Sequence, residues 1–132
     1  PKVALLAAVE KVSPKMPATT EAAVIAKMAE RGQIGKAIVD GPLALDPAIS
    51  KEAAEIKKIK SPVAGDADIL IFPNIESGNV FFKTITKLCK GEIAAIVTGT
   101  THPCVLTSRA DSEKSKLASI ALATKLAEWR TS

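Results

Sequence analysis

Apolar residues are concentrated in four short runs, separated by segments whose apolar residues have helical spacing. The runs are VALLAAV from Val3, KAIVDGPL from Lys36, DILIFPN from Asp68 and EIAAIVTGT from Glu92. Continuous apolar runs of this length are typical of strands that a parallel sheet buries on both faces. The pattern therefore predicts four parallel strands.

The first intervening segment carries signals for both ends of a helix. Thr20 is a suitable N-cap, and Gly32 follows Arg31 at the position where a helix would end. The apolar residues Val24, Ile25 and Met28 fall on one side of this helix. We therefore predict a helix from Thr20 to Arg31.

Three further helices are predicted along the chain. Asp46 followed by Pro47 favours an N-cap with proline at the first helical position, and the helical pattern then extends to about Ile59. The segment IESGNVFFKTITKLCKG is helical in spacing and ends at Gly91, and the last helix is predicted for residues 112–129. Alternating strands and helices with short connections indicate an α/β fold, a mainly parallel sheet with helices on both faces.

Composition changes this picture little. The chain has 132 residues, no Tyr, one Trp and three Phe, so aliphatic residues must form the core. The net charge is +4, and its basic residues are spread thinly. Nucleic-acid binding would favour a clustered basic face with aromatic residues, and the nearest cluster is Lys57, Lys58 and Lys60. We interpret that trio as a solvated helix end, where cations suit the helix dipole, and we predict no nucleic-acid partner.

Several classes of site are not indicated. Cys89, Cys104 and the single His102 have no zinc-like spacing, so neither a metal site nor a disulfide framework is predicted. His102 and Cys104 could form a nucleophile pair, but no third group is evident to orient them. We therefore favour a structural role for these two residues. The opening apolar run is too short to cross a bilayer, and the predicted compartment is the cytoplasm.

Ligands of an open parallel sheet bind at the carboxyl ends of its strands, so loops at those ends are the candidate site. The pattern selects four loops: 40–42, 73–79, 98–101 and 107–111. Gly78 and Asn79 could bring backbone and an amide to a substrate, although a helix-entry turn with Glu76 near the helix dipole is an equal alternative. Thr98 and Gly99 are the substrate-binding candidates of the third loop.

Ser108 and Arg109 form the sharpest candidate. They precede the last predicted helix, whose N-terminal N–H groups favour an anion, and a guanidinium grips phosphate at two points. The same residues, with Asp111, also fit a Ser-x-x-acid capping box, which needs no ligand. Both interpretations stay open on spacing alone.

Three ordered stretches carry a family resemblance. VDGPLALDPAIS, SPVAGDADILIFPNIESGNVFFK and VLTSRADSEKSKLASIALA together resemble the phosphate acetyl/butyryltransferase family, with Ser-Arg-Ala-Asp-Ser from Ser108 favouring the butyryl branch. The resemblance implies a two-domain fold like isocitrate and isopropylmalate dehydrogenases. Residues 1–97 would then belong to the second domain and residues 98–132 to the return into the first, with the family's amino-terminal half absent.

The resemblance also implies a reaction, in which acyl-coenzyme A plus phosphate is interconverted with acyl phosphate plus coenzyme A. Coenzyme A would be a substrate, no cofactor would be needed, and a homo-oligomer is expected. Ser108 and Arg109 match the family's catalytic serine and arginine, but Ser115 stands where the acetyl branch carries an acidic base, which leaves Asp111 and Glu113 as nearby candidates. The alternatives are a non-catalytic module that binds an anion or a coenzyme A-like ligand, and a fragment that is inactive alone.

Overall fold

The computed structural model describes residues 1–131 and divides the chain into two compact units, Pro1–Asn79 and a second that begins at Val80. The first unit contains a three-stranded parallel sheet in the order β2-β1-β3. Its elements are β1 (Lys2–Leu6), α1 (Pro17–Glu30), β2 (Ile38–Leu43), α2 (Leu45–Ile49), α3 (Lys51–Ile56), β3 (Ile69–Ile71) and the start of α4 (Ile75–Lys83). Three of the four predicted strands are therefore confirmed.

Side chains on β1 alternate between two packed faces. Ala4 and Leu6 join the core cluster with Leu43, Ala48 and Val63, which are all buried. The intervening Leu5 faces the other side, where α1 packs. Alternation along a strand is expected because successive side chains point to opposite faces. The sheet of the first unit thus has helices on both faces, as predicted.

Gly41 lies where β1 and β2 approach closely. A Cβ at this position would stand 2.7 Å from both the Cβ and the carbonyl oxygen of Leu5. Residues 40–42 were predicted to form a strand-end loop, and that prediction is wrong because they lie inside β2. The pairing shifts register between Ala4 and Leu6, and this irregularity lets β2 continue through a proline that has no N–H to donate.

The first helix begins earlier than the sequence indicated. It starts at Pro17, because proline suits the first helical position, and the hydroxyl of Thr20 donates to the Pro17 carbonyl at 2.8 Å instead of capping the helix. The predicted end is confirmed, since the helix closes at Glu30 with Gly32 in the left-handed region at φ +74°. The side that carries Val24, Ile25 and Met28 is exposed in this chain.

The predicted helix from Asp46 to Ile59 is two helices separated at Ser50. Ser50 has extended backbone, and its Oγ accepts a hydrogen bond from the Ala53 N–H at 3.2 Å, so it caps α3. Asp46 lies within α2 and is not its cap. Lys57 is the C-cap of α3, which confirms that the lysine trio marks a helix end.

The second unit is helical at both ends and irregular between. The helix α4 runs into a π-helical turn, Thr84–Leu88, and α5 spans Glu113–Thr131. The predicted strand from Glu92 is wrong. Residues 92–100 form no strand, and their single pairing is an isolated antiparallel bridge from Val97 to Cys104. A strand requires a partner along its length, and the Ala95 N–H instead donates to a side chain, Ser119 Oγ, at 3.0 Å.

Within residues 1–131, no helix is both long and apolar enough to cross a membrane. The helix α5 is long, but it is rich in charged and small residues, and its stripe residues Leu117 and Ile120 are exposed. Its buried contact is Ser119, which is 2% exposed.

Candidate active site

Ser108 and Asp111 close a tight turn around Arg109. The Asp111 N–H donates to the Ser108 carbonyl at 3.1 Å, and Asp111 Oδ2 accepts the Ser108 N–H at 2.8 Å. Ser108 Oγ accepts the Ala110 N–H at 3.3 Å. These contacts fix the backbone on both sides of Arg109, so its side chain leaves from a defined point.

The capping-box interpretation describes one of the hydrogen bonds but not the helix. Asp111 Oδ2 accepts the Ser108 N–H as in a capping box, but Ser108 Oγ accepts from Ala110 instead of Asp111, and α5 begins only at Glu113. The helix is capped by Ser112, whose Oγ accepts the Ser115 N–H at 3.1 Å. The Ser-x-x-acid pattern thus forms a turn here, and Ser112, which accepts the Ser115 N–H, is the cap of the helix.

Arg109 offers its guanidinium to solvent. The side chain is exposed, and none of the ion pairs formed among the described residues involves it. The Ser108 hydroxyl is used there as an acceptor, which leaves its proton for donation. A planar cation beside a free hydroxyl donor can bind an oxyanion or a phosphoryl group.

Lys87 brings a second cation to this turn. Its Nζ donates to the Ala110 carbonyl at 3.0 Å, which joins the π-helical turn to the Ser108–Asp111 turn. Sequence reasoning missed this residue. Lys87 precedes the turn by more than twenty positions, and only the tertiary structure brings the two together.

Gly78 and Asn79 lie inside α4. Gly78 lies near Phe72: a Cβ at position 78 would stand 3.6 Å from the Phe72 Cβ, which is an ordinary van der Waals distance. Asn79 is exposed. The helix entry is made by Asn74, whose Oδ1 accepts the Ser77 N–H at 2.9 Å. Sequence reasoning missed this cap, although asparagine is one of the residues preferred at the N-cap.

Thr98 and Gly99 begin an exposed loop between the bridged residues Val97 and Cys104. Gly99 has φ +86°, a conformation that favours glycine. The same loop carries His102, whose Nδ1 lies 3.2 Å from Thr101 Oγ1. Thr98, Gly99, Ser108 and Arg109 therefore belong to the second unit, whereas Gly78 and Asn79 belong to the first.

Metal chemistry has no evident ligand set here. Across the described part of the chain, residues 1–131, no group of three His, Cys, Asp or Glu side chains is arranged to hold an ion.

Residues 1–124 match the family described as Phosphate acetyl/butaryl transferase. The chain belongs to this family. The resemblance found in its sequence motifs is thereby confirmed, and the match extends through the Ser108–Asp111 turn into α5.

Individual relatives of the family agree. The chain is 58% identical over 123 residues to a probable phosphate butyryltransferase of Bacillus subtilis, covering 93% of this chain and 41% of that protein. It is 57% identical over 122 residues to a phosphate acetyltransferase of Thermotoga maritima, covering 92% of this chain and 42% of that protein. A crystal structure of a branched-chain phosphotransacylase from Enterococcus faecalis V583 superposes with a TM-score of 0.83 at 42% identity. The superposition covers 95% of this chain and 45% of that one. The chain spans about 40% of the length of these curated relatives.

Proposed function

We propose that the protein to which this chain belongs transfers a short acyl group between coenzyme A and phosphate. The observation that carries the proposal is the family match over residues 1–124, which includes an exposed arginine beside a free serine hydroxyl proton. Relatives named phosphate butyryltransferase and phosphate acetyltransferase support the same reaction. Acyl-coenzyme A and phosphate are the substrates, and neither a cofactor nor nucleic acid takes part.

The proposed reaction is a direct transfer. The thiolate of coenzyme A attacks the carbonyl carbon of the acyl phosphate, a carbon–sulfur bond forms, and the carbon–oxygen bond to phosphate breaks with its electron pair leaving on phosphate. Negative charge develops on the carbonyl oxygen and grows on the departing phosphate. A guanidinium that contacts these oxygens stabilises both charges, and this is the role we assign to Arg109.

Ser108 and Asp111 have distinct roles in this scheme. Ser108 donates the hydroxyl proton that its backbone contacts leave free, and so orients the phosphoryl group. Asp111 holds the turn, since its Oδ2 accepts the Ser108 N–H. Ser115 does not replace an acidic base in this scheme, because its side chain is a neutral hydroxyl and not a carboxylate. That hydroxyl accepts a hydrogen bond from Ser112 Oγ at 3.1 Å. Thr98, Gly99, Gly78 and Asn79 remain candidates for substrate binding.

The wider architecture is also a proposal. We expect the complete protein to adopt the two-domain fold of the isocitrate and isopropylmalate dehydrogenase type, with residues 1–97 in the second domain and residues 98–132 returning to the first. We expect it to act as a homo-oligomer in the cytoplasm. The superposition on a branched-chain phosphotransacylase supports a shared scaffold for most of this chain.

Arg109→Ala in the full-length protein tests the mechanism. Losing a contact that strengthens in the transition state should cost about 3 kcal/mol, which lowers turnover about a hundredfold. Arg109→Lys should stay well below wild type, because a point charge lacks the planar two-point grip. The measurement is phosphate-dependent release of free thiol from acetyl- or butyryl-coenzyme A.

Arg31→Ala is the matched control, because it removes another exposed arginine, at the C-cap of α1. It should leave turnover unchanged. An Arg109→Ala enzyme as fast as its parent would remove Arg109 from the mechanism. A wild-type protein that binds coenzyme A in calorimetry but releases no thiol would favour the binding-module alternative.

A further inference from the structure

The turn that carries Arg109 is held by hydrogen bonds and not by apolar packing. Ser108, Arg109 and Ala110 are all exposed, so little buried surface fixes their backbone. Exposed segments with few buried contacts open readily, and their geometry depends on the hydrogen bonds that hold them. A contact that reaches this turn from elsewhere in the chain therefore affects where the Arg109 side chain begins.

Lys87 supplies such a contact through a single peptide group. Its Nζ donates to the Ala110 carbonyl at 3.0 Å. The N–H of the same peptide belongs to Asp111 and donates to the Ser108 carbonyl at 3.1 Å. A cation bound to a peptide oxygen polarises the peptide and strengthens the hydrogen bond made by its N–H. Lys87 thus reinforces the bond that closes the turn around Arg109.

The segment that carries Lys87 is itself well fixed. The Cys89 N–H donates to the Thr84 carbonyl at 3.0 Å, which closes the π-helical turn. The Gly91 N–H then donates to the Ile85 carbonyl at 2.8 Å, and a Cβ at position 91 would stand 2.7 Å from Ile85 Cγ2. Single π-helical turns are frequent at functional sites. Lys87 therefore reaches the Arg109 turn from a fixed base.

We propose that Lys87 is a positioning residue for the transfer reaction. By bonding to the Ala110 carbonyl, it fixes the backbone from which the Arg109 guanidinium and the Ser108 hydroxyl extend. The Ala110 N–H donates to Ser108 Oγ at 3.3 Å, so the same residue also connects Lys87 to the hydroxyl. The inference rests on the proposed function, and it uses only groups of the second unit.

Lys87→Met in the full-length protein tests the proposal, because methionine keeps an unbranched stem and removes the donor. Turnover, measured as phosphate-dependent thiol release, should fall about tenfold, since a displacement of about 1 Å can cost about a hundredfold. The urea midpoint should stay unchanged, because exposed contacts of charged side chains contribute little to stability. Lys87→Arg should restore most of the turnover. A single carbonyl needs one donor, whereas position 109 requires the planar two-point grip.

Lys90→Met is the matched control, because it removes an exposed lysine three residues further along the same segment. It should leave turnover unchanged. The double variant then shows whether Lys87 acts through Arg109. In an Arg109→Ala background, Lys87→Met should lower turnover by less than about twofold, because the group that it positions is already absent.

Hydrogen exchange reports on the turn independently of activity. The Asp111 amide, which donates to the Ser108 carbonyl, should exchange its hydrogen faster in Lys87→Met than in the wild type. Unchanged Asp111 exchange would overturn the proposal.

The remaining outcomes separate this proposal from the function on which it rests. A wild-type protein that transfers no acyl group would overturn the proposed function, and this role in catalysis with it. With an active wild type, three results would each overturn the positioning role alone. They are an unchanged turnover in Lys87→Met, a lowered urea midpoint in that variant, and an equal loss of turnover in the Arg109→Ala background.

Discussion

The two units of the chain are stabilised by different kinds of interaction. In the first unit the core cluster is apolar, with Leu43 2% exposed and Val63 and Ala48 fully buried, and one polar side chain, Thr19, is also fully buried. In the described part of the second unit the buried side chain is Ser119, and the hydrophobic residues of α5 that were predicted to form its stripe are exposed. Apolar packing therefore determines the first unit, whereas hydrogen bonds between side chains and backbone determine the geometry around Ser108 and Arg109.

The largest expected effect lies in the core of the first unit. Leu43→Ala should lower the free energy of unfolding by about 3 kcal/mol, because it removes a buried side chain and leaves a cavity. Leu117→Ala in the second unit, where the side chain is 68% exposed, should change it by less than about 0.5 kcal/mol. Urea unfolding followed by circular dichroism measures both variants.

Equal costs for the two leucines would break the comparison. They would show that α5 is packed as tightly in solution as β2, and that the second unit also depends on apolar burial.

A smaller effect is expected at Ser119. Its Oγ accepts the Ala95 N–H at 3.0 Å and donates to the Ser115 carbonyl at 2.8 Å. Ser119→Ala would leave a partly buried N–H without an acceptor, at a cost of about 1 to 2 kcal/mol. The consequence should be local: the Ala95 amide exchanges its hydrogen faster, while amides of β1 keep their protection.

Thr124→Ala is the control for this variant, because its Oγ1 makes the same bond to the carbonyl four residues earlier, at 3.0 Å to Ile120, and accepts no hydrogen bond from residues 92–97. Unchanged Ala95 exchange in Ser119→Ala would show that the irregular segment is held by other contacts.

The smallest effect is electrostatic and belongs to the first unit. Hydrogen bonds to Asp46 and Glu10 raise the pKa of Lys57 above 10.5, and a hydrogen bond to Lys2 lowers the pKa of Asp66 below 3.8. The Lys57 contribution to stability is therefore present below pH 10.5 and lost as the pH rises through its folded pKa. The Asp66 contribution is present above pH 3.8 and lost as the pH falls through its folded pKa.

Lys57→Gln isolates the alkaline part of this effect. The difference in urea midpoint between variant and wild type should be constant from about pH 5 to pH 9. Above pH 10.5 this difference should disappear as Lys57 loses its proton in the wild type. High salt should reduce it, because these charges are exposed. A difference that persists unchanged at the highest pH would assign the effect to packing of the lysine stem.

The sequence predicted the first unit far better than the second. Continuous apolar runs were sufficient to locate β1, β2 and β3, because a parallel sheet with helices on both faces leaves that pattern directly in the chain. The run from Glu92 has the same appearance, but a strand also needs a neighbour, and apolar periodicity does not record which neighbour is present. Local capping was similarly ambiguous, since Ser108 and Ser112 both fit a helix start and only the structure shows that α5 uses the second.

The candidate site was predicted in part for the same reason. Ser108 and Arg109 stood out because their chemistry is carried by adjacent residues. Lys87 did not, because its contact with the Ala110 carbonyl is made across the sequence. Charge type can be taken from a sequence, but convergence of distant charges requires the tertiary structure.

The close approach at Gly41 has a consequence for mutational scanning. Any side chain at this position would collide with the Leu5 backbone, so a saturation library screened for growth or turnover should find it intolerant. Its neighbours Asp40 and Pro42 stand where a strand-end ligand loop was expected, and intolerance there would invite assignment to substrate binding. A screen that measures folded abundance beside activity separates the two causes, because Gly41 variants should lose both together whereas Arg109 variants should lose activity alone.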